Sequence, residues 1–189
     1  MELTGKLLIM FLKECILDTD NKLYTSNDWD AANNSKAVGV AVITNEAKFV
    51  IAPDDLGSKK LYSNYTTPVS GISSFGDEIN AKTDYNGLSN TDKIIEVYGS
   101  TDEYAAGACK NYTFKNKNKG YLPSLGEWWA AYQNKSEINT CMSKIGGTAI
   151  SNNYYWNSSN SLNTSSDVSF WSLNWYQGTV GDNYANYSY

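Results

Sequence analysis

The sequence predicts an α+β fold, and three observations carry that prediction. A nearly continuous apolar run, Ala37-Val-Gly-Val-Ala-Val-Ile-Thr44, is followed across Asn45-Glu46 by a second run, Ala47 to Ala52, which together read as a β-hairpin. Two later segments open with Ser-x-x-Glu, Ser100 to Glu103 and Ser124 to Glu127, the reciprocal capping pattern of helix N-termini. From Thr148 onward, short Trp- and Tyr-rich stretches alternate with turn residues. Strands first, helices in the middle and a Trp-rich β region last make an α+β order. At 189 residues the chain suits one domain, long enough to bury a substantial core.

In chain order, Leu3, Leu7, Met10 and Phe11 fall at helical spacing, so residues 1–14 read as an amphipathic helix, with a strand over Lys6 to Phe11 as the alternative. Such a terminal element either docks on the domain or oligomerises. Asp18 to Asn34 lacks a sustained period and reads as turn and loop. Pro53 to Asn90 is punctuated by Gly57, Pro68, Gly71, Gly76 and Gly87 and reads as a long loop, packed down by Tyr62, Tyr65, Phe75 and Tyr85. The first helix is expected through Tyr104 to about Tyr112, and the second through Trp128, Trp129 and Tyr132. A third covers Ser136 to Lys144 with Ile138, Cys141, Met142 and Ile145 as its apolar stripe, stopped by Gly146-Gly147. Strands follow at Tyr154 to Trp156, Trp171 to Trp175 and Thr179 to Val180, with Gly178 where a turn is needed.

Composition narrows the function classes. A net charge of −5 leaves no basic footprint for nucleic acid. The longest strongly apolar run, Leu7 to Leu12, is too short for a membrane span or a signal h-region. The absence of histidine removes the commonest general base, the commonest zinc ligand and every His-containing triad. Cys15, Cys109 and Cys141 lack CxxC spacing, leave at least one thiol unpaired, and read as small buried residues. The seven Asn-x-Ser/Thr sequons, Asn64 and Asn111 among them, are what Asn- and Ser-rich composition produces, so glycosylation is not inferred from them.

The last 39 residues, Ser151 to Tyr189, hold eight Asn, nine Ser, six Tyr and three Trp and no Lys, Arg or Glu. That is paratope composition: aromatics supply rigid contact area and Ser and Asn supply adaptable hydrogen bonds. Trp156, Trp171 and Trp175 call for burial, so the segment belongs to an ordered scaffold. Strand alternation would turn Trp171, Leu173 and Trp175 inward and leave Ser172, Asn174 and Tyr176 outward.

A string of motifs adds a resemblance. Gly120-Tyr-Leu-Pro-Ser-Leu-Gly-Glu-Trp128, Tyr132-Gln-Asn-Lys135, Ile145-Gly-Gly-Thr148, Tyr155-Trp-Asn-Ser-Ser159, Phe170-Trp-Ser-Leu-Asn-Trp175 and Gly178-Thr-Val180 cover, with the hairpin, about three quarters of the chain. This string resembles bacterial and phage C-type-lectin-fold domains related to the formylglycine-generating-enzyme fold, and in particular the variable proteins diversified by diversity-generating retroelements. The resemblance implies a C-type lectin-like fold with a small antiparallel sheet, two to three helices and a long-loop, Trp-rich C-terminal β region. It implies a ligand-binding domain over residues 16–189, behind a terminal element at residues 1–15. Trp156, Ser158, Trp171, Leu173, Trp175, Gly178 and Val180 match its scaffold positions. Asn157, Asn160, Ser172, Asn174, Tyr176, Gln177, Thr179, Asp182, Asn183, Tyr184, Asn186 and Tyr187 match or adjoin its variable, ligand-binding positions.

Three function classes follow. The first is a non-catalytic receptor-binding or adhesin-like display domain of a phage virion or bacterial surface. It would bind a cell-surface protein or glycan, take no cofactor, and form a homo-oligomer through the N-terminal segment. The second is an enzyme: Glu127 with Asp182 or Asp167 would be the carboxylate pair of a glycosidase, although Glu127 is already accounted for by its capping position. The paired-thiol equipment of the cysteine-oxidising relatives is not visible. The third is a calcium-dependent lectin using Asp54-Asp55 or Asp18 with Asp20, acidic clusters without a recognisable loop motif.

Overall fold

The computed structural model describes residues 15–61, 69–151, 153–162 and 169–184. The expected N-terminal element, its strand alternative at Lys6 to Phe11, Tyr62, Tyr65, Asp167, Asn186 and Tyr187 lie outside the described residues.

The architecture is mixed α+β, with two four-stranded sheets among the described residues. The first sheet runs in the order β2-β1-β3-β4, all antiparallel, with β1 at Ile16–Asp18, β2 at Leu23–Tyr24, β3 at Ala37–Ile43 and β4 at Lys48–Ile51. The hairpin read from the apolar runs is therefore present, and β3 is buried on both faces, as its unbroken apolar run requires. The segment read as loop from Asp18 to Asn34 instead contributes β2 and leads into a 3-10 helix, Ala31–Lys36. Asp18 organises the β1–β2 turn. Its carboxylate accepts from Asp20 N–H at 2.9 Å, Lys22 N–H at 2.8 Å and Tyr24 O–H at 3.0 Å.

The stretch expected to be a long loop contains β5 (Ser74–Phe75), α1 (Glu78–Ala81) and the start of α2 (Gly87–Tyr98). Gly87, read as loop punctuation, is the first residue of α2. Helix α3, Ala105–Asn111, forms where expected but without the capping box at Ser100 to Glu103. Thr101 instead makes a local turn, its Oγ1 accepting from Glu103 N–H at 3.1 Å and its carbonyl from Tyr104 N–H at 3.3 Å. Helix α4, Leu125–Tyr132, does carry its capping box: Ser124 N–H donates to Glu127 Oε2 at 2.8 Å. Helix α5, Lys135–Ile145, buries all four residues of its apolar stripe and ends at left-handed Gly146. Two to three helices were expected; five α-helices and the 3-10 helix are present among the described residues, and none is long and apolar enough to cross a membrane.

The second sheet runs β5-β6-β7-β8, with β6 at Tyr154–Ser161, β7 at Ser169–Asn174 and β8 at Thr179–Tyr184. One face of β7, bearing Trp171 and Leu173, packs with Trp175, Trp128, Ile138, Met142 and the first sheet into the main core. Phe170, on the opposite face, packs with Trp156, Leu61, Val69, Ile94 and Leu122 into a second core covered by α2 and α3. Trp156, Trp171 and Trp175 are 4%, 7% and 2% exposed, which meets the expectation that the indoles are buried.

Strand β6 carries a bulge, four steps from Trp156 to Asn160 opposing two from Ser172 to Phe170. The bulge turns Asn157, Ser158 and Ser159 against the segment Leu122 to Glu127. Ser158 N–H donates to Pro123 O at 2.9 Å, Leu125 N–H to Ser159 Oγ at 2.8 Å, and Trp128 Nε1–H to Trp156 O at 3.0 Å. The Leu-Pro-Ser-x-Gly-Glu and Tyr-Trp-x-Ser-Ser strings are thus two halves of one internal joint.

Cys15 and Cys141 form a disulfide, which corrects their reading as simple buried thiols. The bridge ties the start of β1 to α5, with 126 residues between the partners, while Cys109 is free.

Candidate functional site

The double-sided core decides which of the expected ligand-binding positions reach the surface. Asn157, Asn160, Ser172 and Asn174 are buried, which corrects their assignment to an outward face. The physical reason is the second core: α2, α3, Leu61, Val69 and Ile72 cover the side of the sheet that strand alternation alone leaves open. Each buried residue has structural work. Asn157 Oδ1 accepts from Ser159 N–H at 3.0 Å within the bulge, and Asn160 Nδ2 donates to Ser74 Oγ at 2.8 Å, joining β6 to β5. Ser172 Oγ accepts from Asn183 Nδ2 at 2.7 Å, locking β7 to β8. Asn174 Oδ1 accepts from Tyr176 and Gln177 N–H, both at 3.0 Å, and so shapes the turn between β7 and β8.

That turn is where exposure concentrates. Tyr176 is 62% exposed, Gln177, Thr179 and Asp182 are exposed, and Asn183 is half-buried. Tyr184 closes β8. The turn is held from beneath. Gly178 adopts φ +69°, and a Cβ on it would fall on the Tyr132 ring. Tyr132 meets Trp175 edge to face at 5.6 Å, and Lys135 Nζ donates to Tyr176 O at 3.4 Å. Beside the turn, Trp129 stacks on Tyr132 at 5.3 Å, with Lys82 Nζ 3.7 Å above the Trp129 ring. A shallow groove along α5, lined by Lys135, Ser136, Asn139, Thr140 and Lys144 with Trp175, adjoins this patch.

Sequence reasoning missed Lys135, Tyr132 and the α5 groove. Tyr132 and Lys135 lie within a motif string already singled out, but nothing local shows that α4 and α5 meet the distant turn.

The residues named for other chemistries are placed as follows. Glu127 lies in the joint, its Oε1 accepting from Tyr121 O–H at 2.9 Å. Burial pushes its carboxyl above the usual carboxylate range, opposed by the bonds from Ser124 N–H, Tyr121 O–H and Ser124 O–H. Asp182, on β8, is exposed, so the two carboxylates occupy different environments. Asp54 and Asp55 are exposed, with Asp55 Oδ1 accepting from Gly57 N–H at 2.7 Å. For Asp18, burial acts upward, but the bonds from Lys22 and Asp20 N–H and Tyr24 O–H together outweigh it and hold the carboxyl low. Among the described residues the one His/Cys/Asp/Glu grouping at metal-ligand spacing is Cys15, Glu137 and Cys141, and the disulfide occupies both sulfurs.

Comparison with known proteins finds no family model, no curated protein and no solved structure that matches this chain.

Proposed function

We infer that the chain is a ligand-recognition domain that binds a cell-surface protein or glycan, without catalysis or a metal, through the β7–β8 turn. The observation that carries this reading is the pairing of exposed Tyr176, Gln177 and Thr179 with a rigid underside of Trp175, Tyr132 and Gly178. An amphipathic aromatic flanked by polar side chains on a pre-shaped turn suits protein and sugar surfaces alike, because little ordering entropy is left to lose on binding. The adjoining α5 groove adds hydroxyl, amide and ammonium groups for polar contacts.

The motif resemblance supports a C-type lectin-like fold, retroelement diversification of the C-terminal surface, and display on a phage virion or bacterial surface. The disulfide supports an oxidising setting of that kind. Among the residues whose side chains are described, the expected variable set contracts to those that reach solvent, Tyr176, Gln177, Thr179, Asp182 and Asn183, joined by Lys135. In this reading Glu127 is structural, and a homo-oligomer would multiply weak single-site contacts.

The test is a screen against cell-surface proteins and a glycan array, in excess chelator, with the wild type and a Tyr176→Ala/Gln177→Ala/Thr179→Ala variant. A ligand lost by the triple variant and retained in chelator is expected. Unchanged binding by the triple variant ends this assignment, and loss in chelator alone would favour the calcium-dependent lectin.

A further inference from the structure

A cavity of about 400 Å³, lined by none of the β7–β8 turn residues, lies between β4 with the loop that follows it, α3, and the start of β6. Its volume lies in the range of small-molecule sites. Six Tyr and Trp rings contribute to its wall: Tyr112, Tyr121, Trp128, Tyr154, Tyr155 and Trp156.

The polar tips of several of these rings are already engaged elsewhere. Tyr121 O–H donates to Glu127, Trp128 Nε1–H to Trp156 O, and Trp156 Nε1–H to Lys59 O at 3.2 Å. Tyr155 Oη pairs with Ser151, accepting from its N–H at 3.2 Å. These side chains therefore offer the cavity ring surface rather than hydrogen-bond donors. Contacts between rings hold the wall in shape: Trp128 lies 5.6 Å from Tyr155, and Tyr112 meets Phe114 edge to face at 4.9 Å.

The charged lining residues are Asp54, Asp55 and Lys59, two carboxylates against one ammonium. Both aspartates are exposed at the mouth. Asp54 is close enough that, after burial, its charge is the second influence holding the Tyr112 phenol above its ordinary range. A net negative mouth over π faces attracts a cation. Because ring faces are poor conventional hydrogen-bond acceptors, the cation that suits them is one whose charge is carried on methyl groups rather than on N–H.

We propose that this cavity binds a small organic cation of the alkylated ammonium class, such as a trimethylammonium group, independently of whatever the β7–β8 turn recognises. The rings receive the methyl groups and the charge, while Asp54 and Asp55 draw the cation in.

The test is isothermal titration of the intact chain with choline, with ethanolamine, and with 3,3-dimethylbutan-1-ol, the uncharged isostere of choline. Choline is expected to bind about tenfold or more tightly than the isostere, the scale of a desolvated cation–π contact, and more tightly than ethanolamine. Two surface variants keep the result independent of folding. Asp54→Asn/Asp55→Asn should weaken choline and leave the isostere unchanged, and Ala149→Trp, on the exposed rim, should block both. No saturable heat with choline, or equal affinity for choline and its isostere, would overturn the proposal. Binding to phosphatidylcholine vesicles that free choline does not compete would equally overturn it, in favour of a membrane surface.

Discussion

Ser159 Oγ donates to Asp84 Oδ2 at 2.7 Å, across 75 residues of sequence, and both side chains are buried. The same Asp84 carboxylate accepts from Asn90 Nδ2 at 2.9 Å and from Asn86 N–H at 3.0 Å, while its main-chain carbonyl accepts from Ser124 Oγ at 2.7 Å. One aspartate thereby joins the β6 bulge, the start of α2 and the N-terminus of α4. Room for this joint comes from two glycines, since a Cβ on Gly87 would fall on Glu127 Oε2 and one on Gly126 on Asp84 O.

Ser159→Ala removes a donor from a buried carboxylate and an acceptor from Leu125 N–H. It should destabilise the fold by about 1–3 kcal/mol, the cost of stranding buried polar partners. Urea unfolding followed by Trp fluorescence measures it, and a loss within error of zero would show the joint to be replaceable.

Glu127 makes stability depend on pH in a definite direction. Its carboxyl is raised in the folded state, so its contribution is fully present below the unfolded value, near about pH 4.3, and is lost as pH rises through the higher folded value. A chemical reason accompanies the shift: Ser124 Oγ has one proton for two acceptors, Asp84 O and Glu127 Oε2 at 3.0 Å, and a neutral Glu127 supplies another. Glu127→Gln should flatten the fall in stability over that window. Asp18, held low, acts only in stronger acid, so the difference between wild type and variant isolates Glu127.

Thiol chemistry separates the three cysteines. Burial pushes the Cys109 thiol up to about 12, and Cys15 and Cys141 are bonded to each other. Iodoacetamide at pH 8 should leave the native chain unlabelled over times that fully modify a free peptide thiol. Unfolding without reductant should add one label, and unfolding with reductant three, read by intact mass. Cys141→Ser should cost about 2–4 kcal/mol, the typical worth of a bridge closing a long loop.

Gly178→Ala tests the support of the binding turn. The left-handed backbone alone costs a side chain about 1–2 kcal/mol, and the Tyr132 ring stands in the way of the new methyl group. Lower thermal stability is expected, together with any ligand affinity falling more than it does in Thr179→Ala.

Phe170→Ala probes the second core. It should destabilise by about 3–5 kcal/mol, as truncations of buried aromatics do, in chemical unfolding. A cost below that of an exposed residue would mean that the β7 face is not sealed as its burial indicates.

Several features were legible in the sequence because their causes are local. The β3–β4 hairpin follows from an apolar run and a short turn, and α4 from Ser124 and Glu127 three positions apart in its capping box. The α5 stripe follows from period alone. Other features had misleading local signals. Ser100 to Glu103 has the capping pattern, yet Thr101 diverts the backbone into a turn of its own. Helix α2 opens on a glycine, and among its large apolar residues only Ile94 is fully buried, so neither its start nor its period stands out. The Cys15–Cys141 pairing has no sequence signature, because it depends on β1 and α5 meeting.

By itself the sequence determined that the described strands after Ser151 form a Trp-anchored sheet with a tight turn at Gly178, since indole burial and backbone conformation are properties of single residues. Only the tertiary structure decided which polar side chains of that sheet meet solvent. Alternation assigns residues to two faces, but whether a face is open depends on what else packs there. Here Leu61, Ile94 and Ala105, far away in sequence, cover the face bearing Phe170, so Ser172 and Asn174 turn inward to serve the fold and Tyr176 is left at the surface.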